Sequence, residues 1–226
     1  MKLSDQIVVV TGASGVVGSA LIDYMKGRAK HVIGILREAA VDYRPVDDQH
    51  SYVTGDLTDR VSVNFIVTEI LRHMDSFHAW INTAGGFVMD GPVDQIQGAA
   101  WPRMFNLNYL TCLNACQAIL PLFKEQQYGH IINFGSAAGE SGLAGAAPYA
   151  MSKAAVHNLT LTIAAESAGE YTANLIIPAV IDTPANRESM PDGDFDSWAK
   201  PEIIAAKIAG ILNETDNPPN GEKFFV

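Results

Sequence analysis

The sequence predicts an α/β protein: a doubly wound, mostly parallel sheet of seven strands with helices on both faces. Three observations predict it. Short β-branched runs alternate with longer helix-forming segments along the whole chain, which is the pattern of βαβ units. The strand-like runs are continuously apolar, as strands covered on both faces are. A glycine-rich turn joins the first such run to the first helix. No linker or shift of composition divides the 226 residues. A single domain over 1–226 is therefore expected, carrying its own substrate loop at 183–200.

The first strand is the β-branched run Ile7 to Val10, ending at Thr11-Gly12-Ala13-Ser14-Gly15-Val16-Val17-Gly18. Helical periodicity then runs from Val16 to Met25. Glycine allows a sharp turn and close approach of backbone to a pyrophosphate, whose charge suits a helix N-terminus. The spacing is GxxGxxG, not the commoner GxGxxG. His31 to Leu36 reads as the second strand, followed by Arg37-Glu38. An acid at that strand tip would meet a ribose 2'-hydroxyl, whereas the planar fork of an arginine suits a 2'-phosphate. Arg37 favours NADP over NAD, and Glu38 is the residue that argues the other way. Ala39 to Gln49 is polar and reads as a loop, with Arg44 either a second phosphate contact or solvated.

Ser51 to Thr54 is a short third strand before Gly55-Asp56-Leu57-Thr58-Asp59. Thr58 or Asp59 can cap the helix that follows, which runs to about His73. A fourth strand, His78 to Asn82, ends in Asn82-Thr83-Ala84-Gly85-Gly86. Trp101-Pro102 opens a long helix to about Lys124, with proline tolerated in its first turn. The fifth strand, His130 to Phe134, stops at Gly135-Ser136. A helix spans Tyr149 to Ala168, a strand Asn174 to Ile177, and a mixed loop Thr183 to Lys200. A last helix over Pro201 to Leu212 and a strand over Lys223 to Val226 close the chain. Sheets of this kind bind ligands beyond the carboxyl ends of their strands. The glycine loop, Arg37, Asp56, the Asn82 turn, Ser136 and Pro178 all fall there.

Composition narrows the function. A formal net charge of -10 argues against nucleic acid or an anionic membrane as the main partner. Cys112 and Cys116 lie at helical spacing in an apolar run with no second ligand pair nearby, so packed thiols are expected and no metal site. No uncharged apolar stretch reaches the length of a membrane span. The chain enters a strand-like run almost at once, so no secretory leader and a cytoplasmic location are expected.

Tyr149-Ala150-Met151-Ser152-Lys153 sets a phenol and an ammonium at positions i and i+4, on one face of a helix. A lysine so placed can lower the phenol's pKa from about 10 by favouring its charged form. That makes the tyrosine usable as a proton donor near neutral pH.

Taken with the Thr11–Gly18 loop, Asp56, Asn82-Thr83-Ala84-Gly85, Asn108, Ser136 and Pro178 through Thr183, this motif resembles the short-chain dehydrogenase/reductase family over essentially the whole chain. The resemblance implies a Rossmann fold, a nicotinamide cofactor and an Asn108–Ser136–Tyr149–Lys153 catalytic tetrad. It further implies that Gly12, Ser14, Gly15, Val16, Val17 and Gly18 bind the pyrophosphate. Arg37 would take the 2'-phosphate, and Asp56 with Leu57 the adenine. Asn82, Ala84 and Gly85 would line the riboses, with Tyr149 and Lys153 at the nicotinamide ribose. Pro178, Val180, Ile181 and Thr183 would meet the carboxamide. Two departures stand out: Gly15 comes one place early, and Ala179 replaces the family's usual glycine.

Segments of the last third are also similar to dihydropteridine reductase: Tyr149 through His157, then Asp182-Thr183-Pro184-Ala185-Asn186-Arg187 and Ser189-Met190-Pro191 to Trp198. That enzyme tends to use NADH and to lack the serine, so the kinship is placed in the substrate loop. Phe87, Met190 and Trp198 are expected to enclose a small substrate, or the loop aromatics simply to pack the lid. The leading expectation is an NADP(H)-dependent reductase of a ketone or 3-oxoacyl substrate. Reduction of a quinonoid dihydropterin and a non-catalytic NADP(H) sensor are the alternatives. Asn108 either organises a water or is a helix-surface amide. The two long helices, about Trp101–Lys124 and Tyr149–Ala168, carry apolar faces rich in small residues; the family resemblance implies that they pair between subunits in a homodimer or homotetramer, the alternative being that both faces are covered by the chain's own sheet.

Overall fold

The computed structural model describes residues 1–226. In chain order the elements are β1 (Ile7–Thr11), α1 (Val16–Met25), β2 (His31–Arg37), β3 (Tyr43–Asp47), β4 (His50–Gly55), α2 (Arg60–His73) and β5 (Ala79–Asn82). Then come α3 (Ala100–Met104), a π-helical segment (Phe105–Leu110), α4 (Thr111–Gln126), β6 (His130–Phe134), α5 (Ala138–Ser141) and α6 (Ala147–Glu166). The chain closes with β7 (Thr172–Ile177), α7 (Pro184–Ser189), α8 (Pro201–Leu212) and β8 (Lys223–Phe225).

The strands form one sheet in the order β3-β4-β2-β1-β5-β6-β7-β8. Every pairing is parallel except β3 with β4. Because successive side chains on a strand face opposite ways, β1 feeds two cores. Ile7 and Val9 join Ile66, Ile70, Phe123, Val156 and Ile163 of α2, α4 and α6 on one face. Val8 and Val10 join Leu21, Ile22, Ile204 and Ile208 of α1 and α8 on the other. This two-sided burial explains why the strands read as unbroken apolar runs. No helix is long and apolar enough to cross a membrane.

The sheet has eight strands, not seven. The extra one is β3, inside the stretch read as a loop. Its sequence Tyr-Arg-Pro-Val-Asp is almost wholly exposed. An outermost antiparallel strand needs no apolar alternation and tolerates proline, so it carries none of the signal that betrays an inner strand. The lid, read as irregular, likewise holds α7, whose N-cap Thr183 accepts a hydrogen bond from the Asn186 N–H at 3.1 Å. At the start of α2 the cap is Asp59, which accepts from Val61 N–H at 2.9 Å.

The chain leaves β1 toward β2 on one side and reaches β5 on the other, so the topology switches direction between β1 and β5. The carboxyl ends of those two strands open the crevice in which such sheets hold ligands.

Candidate active site

At the crevice, Gly12 has φ +62°, a left-handed conformation that a side chain would strain, and a Cβ there would also approach the Ala84 backbone to 3.0 Å. A Cβ at Gly18 would overlap the Gly12 carbonyl, so the loop and the first turn of α1 lie in direct backbone contact. Gly15, the residue out of step with the family spacing, is the N-cap of α1 and offers no side-chain cap. The amides of Ser14, Val16, Val17 and Gly18 therefore donate to nothing else in the chain. Unpartnered amides together with the positive end of the helix dipole suit a pyrophosphate. The donor set fits a dinucleotide.

From this loop a cleft runs past Ile35, Arg37, Gly55, Asp56, Leu57, Thr58, Ala84, Leu107 and Thr111. Asp56 lies in it as a carboxylate, held below the usual range chiefly by the Thr58 N–H and hydroxyl that donate to its Oδ1 at 2.9 and 2.7 Å. At the cleft mouth Glu38 is not free. Arg44 on β3 clasps it with two bonds of 2.7 Å and also reaches Asp42 at 3.1 Å. Arg37 is exposed and makes no ion pair.

The second half of the crevice is built by β6, the π-helical segment and α6. Lys153 is buried, and its ammonium donates to the Phe134 carbonyl at 2.8 Å. Burial pushes its pKa down to about 8. Its Nζ sits 6.0 Å from the centre of the Tyr149 ring. The Tyr149 phenol is raised above its ordinary value by burial, and the Ser136 hydroxyl acts the other way. The expectation that Lys153 sets a low phenol pKa is therefore corrected. Desolvation outweighs the hydrogen bond with Ser136, and the Lys153 ammonium is turned toward a carbonyl. Ser136 Oγ accepts the Ala138 N–H at 3.2 Å, which leaves its own proton free to donate.

Asn108 is 2 % exposed, so it is not a surface amide. Its Oδ1 accepts from Gly86 N–H at 2.8 Å and its Nδ2 donates to Ser152 Oγ at 3.1 Å. Ser152 in turn donates to the Tyr149 carbonyl at 2.7 Å. The side chain thus ties the β5 turn to the first turn of α6. Asn108 lies in a π-helical segment, a departure from regular α-helical bonding that is frequent at functional sites.

Phe87 is half exposed and meets the Tyr149 ring edge-on at 4.9 Å. Past Pro178, which follows β7, the Val180 carbonyl accepts from Ala199 and the Asp182 amide donates back to Ala199, so the Ile181 amide stays free. Arg187 binds Asp182 at 2.6 and 2.8 Å and lies 4.5 Å over the Phe195 ring. Phe195 packs edge-on against Trp198 at 4.7 Å.

The profile of the short chain dehydrogenase family matches residues 6–194. The chain belongs to that family. It is 28% identical over 217 residues to an uncharacterized oxidoreductase of Staphylococcus saprophyticus, covering 92% of this chain and 90% of the relative. It is 26% identical over 242 residues to the 3-oxoacyl-[acyl-carrier-protein] reductase of Thermotoga maritima, covering 98% and 96%. The NADP-bound structure of ElxO superposes with a TM-score of 0.86 at 22% identity, covering 98% of this chain and 97% of that one, and so shares its fold.

Within this short chain dehydrogenase two anticipated contact residues have side chains engaged inside the protein. The Asn82 side chain is turned into the sheet. It is buried, accepts from Trp80 Nε1–H at 2.9 Å and donates to Asn133 Oδ1 at 2.8 Å, and Asn133 passes the chain on to Thr160. A polar group on an inner strand must be satisfied internally, and its neighbours supply the partners. Trp198 is 8 % exposed and is packed against Phe195 and Gly193, so it fastens the lid. Met190 is exposed on the lid. Residues the sequence reading missed are Ser152, Thr11, whose Oγ1 accepts from Ala84 N–H at 3.1 Å, and His157. Only His157 carried a signal: it stands one helical turn beyond Lys153, on the same face.

Proposed function

We propose that this short chain dehydrogenase is an NADP(H)-dependent reductase of a small carbonyl compound, a ketone or 3-oxoacyl substrate. The observation that carries the reading is the convergence of the Ser136 hydroxyl, the half-buried Tyr149 phenol and the Lys153 ammonium beside a cleft that begins at unpartnered helix amides. When bound, the cofactor supplies the hydride. Tyr149 donates its proton to the substrate oxygen as negative charge develops there. Ser136 donates a hydrogen bond to the same oxygen, an interaction strongest once charge has formed. Lys153, already ordered by the Phe134 carbonyl, holds the nicotinamide ribose. Asn108 positions α6 against the β5 turn and is the group best placed to order a proton-supplying water. Phe87 and Met190 contact substrate.

Gly12, Ser14, Gly15, Val16, Val17 and Gly18 hold the pyrophosphate, Asp56 and Leu57 the adenine, and Ala84 and Gly85 the riboses. Val180, Ile181, Thr183 and Pro178 hold the carboxamide. Preference for NADP(H) over NAD(H) is supported by the free Arg37 and by Arg44, which neutralises the competing acid Glu38. The 3-oxoacyl-[acyl-carrier-protein] reductase similarity and the NADP in the ElxO structure favour the same reading. We also infer one domain over 1–226, a cytoplasmic location, and a homodimer or homotetramer. Met151 and Leu161, exposed on α6, support the association.

The test is a panel of ketones, 3-oxoacyl thioesters and a quinonoid dihydropterin, read as loss of NADPH absorbance. Turnover of a carbonyl compound is expected. The second reading, dihydropterin reduction, is favoured by the lid fastened through Asp182, Arg187 and Phe195, within the stretch that resembles dihydropteridine reductase. Turnover of the dihydropterin alone, undiminished in Ser136→Ala, would select it.

A further inference from the structure

The Ser136 turn is held from below by an imidazole. Ser136 N–H donates to His157 Nε2 at 3.1 Å, and His157 Nδ1 faces Glu140 Oε1 at 2.8 Å. A backbone N–H can only donate, so Nε2 carries no proton and Nδ1–H donates to the carboxylate. Glu140, on α5, is also bound by Lys223 Nζ of β8 at 2.8 and 3.0 Å. The imidazole is buried, and it fills a slot between glycines on either side of the serine. A Cβ at Gly135 would overlap Nε2, and one at Gly139 would lie 2.9 Å from Cε1. The charged groups facing the ring are Glu140 from α5, Lys223 from β8 and Lys153 from its own helix.

We propose that His157 is the positioning residue of the catalytic serine: its neutral Nδ1–H form, oriented by Glu140 and Lys223, holds the Ser136 turn, and protonation at Nε2 releases it. A proton on Nε2 sets donor against donor at the Ser136 amide. The turn then loses the acceptor that places the hydroxyl over Tyr149. Burial holds the imidazole below its ordinary pKa while Glu140 opposes this, so the ring is neutral at pH 7 and the release occurs on the acid side. His157 touches neither substrate nor cofactor and acts only through Ser136. The kinetic consequence rests on the carbonyl-reductase reading above; the structural consequence does not.

Both are tested on the whole protein, labelled with ¹⁵N-histidine and ¹⁵N-serine and followed by NMR across about pH 5 to 8. The expected result is an Nδ1–H tautomer, with the Ser136 amide shift following the His157 midpoint. Glu140→Gln keeps an acceptor for Nδ1–H but removes the opposing charge, so it moves both midpoints to lower pH. In His157→Phe, amide exchange over residues 135–141 rises about tenfold or more. On any carbonyl substrate the parent reduces, kcat falls about tenfold or more while NADPH Kd is unchanged. His157→Gln, which restores an acceptor to the amide, recovers most of both. An Nε2–H tautomer, a Ser136 amide indifferent to the His157 titration, or parental exchange in His157→Phe overturns the proposal. If the parent reduces no carbonyl compound, it is the functional reading that fails, and the NMR and exchange results still decide this one.

Discussion

The two halves of the crevice are built on opposite plans. On the β1–β4 side the loop amides and an exposed arginine are unpartnered, beside a cleft open to solvent. On the β6–α6 side the framework around the half-buried Ser136 and Tyr149 is buried and already bonded. Lys153 is tied to Phe134, Asn108 to Gly86 and Ser152, and the Ser136 turn to His157. The difference matches the two tasks. Binding an anion needs donors left free for it, whereas stabilising developing charge needs donors that do not reorganise when the charge appears. One half waits for a ligand, and the other is set beforehand.

Removing the phenol breaks the preset half most completely. Tyr149→Phe is expected to lower kcat by about 10³-fold or more with NADPH binding retained, measured by stopped-flow and fluorescence titration. Full activity would end the proton-donor assignment. Ser136→Ala comes next, at about 10²-fold on carbonyl substrates and far less on a dihydropterin.

The open half gives a smaller and different effect. Arg37→Ala is expected to cost about tenfold in NADPH affinity, near 1.4 kcal/mol, and to leave NADH untouched. Equal NADPH and NADH affinities in the parent would show that Arg37 does not select the cofactor.

Acidity sharpens the contrast further. With Lys153 at about 8, kcat/KM should fall above that pH, because the free enzyme loses the ammonium there. A pH–rate profile flat to about pH 10 would show that this proton is not needed. Stability should move the other way, falling as the solution is acidified. His31, His50, His78, His130 and His157 are all depressed by burial. Between their folded values and about 6.5 the unfolded chain binds more protons, so stability falls with pH through that window. His130, near 4, contributes on the order of 3 kcal/mol of this loss. Unfolding curves from about pH 7 down to about pH 4 measure it. Parallel curves with an unchanged midpoint would refute it.

Much of this was legible from the residues alone. Inner strands declared themselves because burial on both faces demands unbroken apolar runs, and α8 was bounded at Pro201 and Leu212 by its own periodicity. The glycine loop, Arg37, Ser136, Tyr149 and Lys153 stood out as candidates because each sits at a strand end or at helical spacing. β3 was not, because an exposed outer strand needs no pattern. Neither was the fate of Asn82 or Trp198. Both are polar-tipped residues whose direction depends on which neighbours arrive from distant parts of the chain.

The sequence by itself determined the layered sheet, the family and the chemical types gathered at the strand ends, since those follow from local periodicity and spacing. Only the tertiary structure decided which of those groups are free and which are bonded. It turned Lys153 toward a carbonyl, raised the Tyr149 phenol by burial, tied Glu38 to Arg44 and slid His157 beneath Ser136. Those outcomes depend on desolvation and on partners brought together from distant segments, and neither is written into any one stretch of the chain.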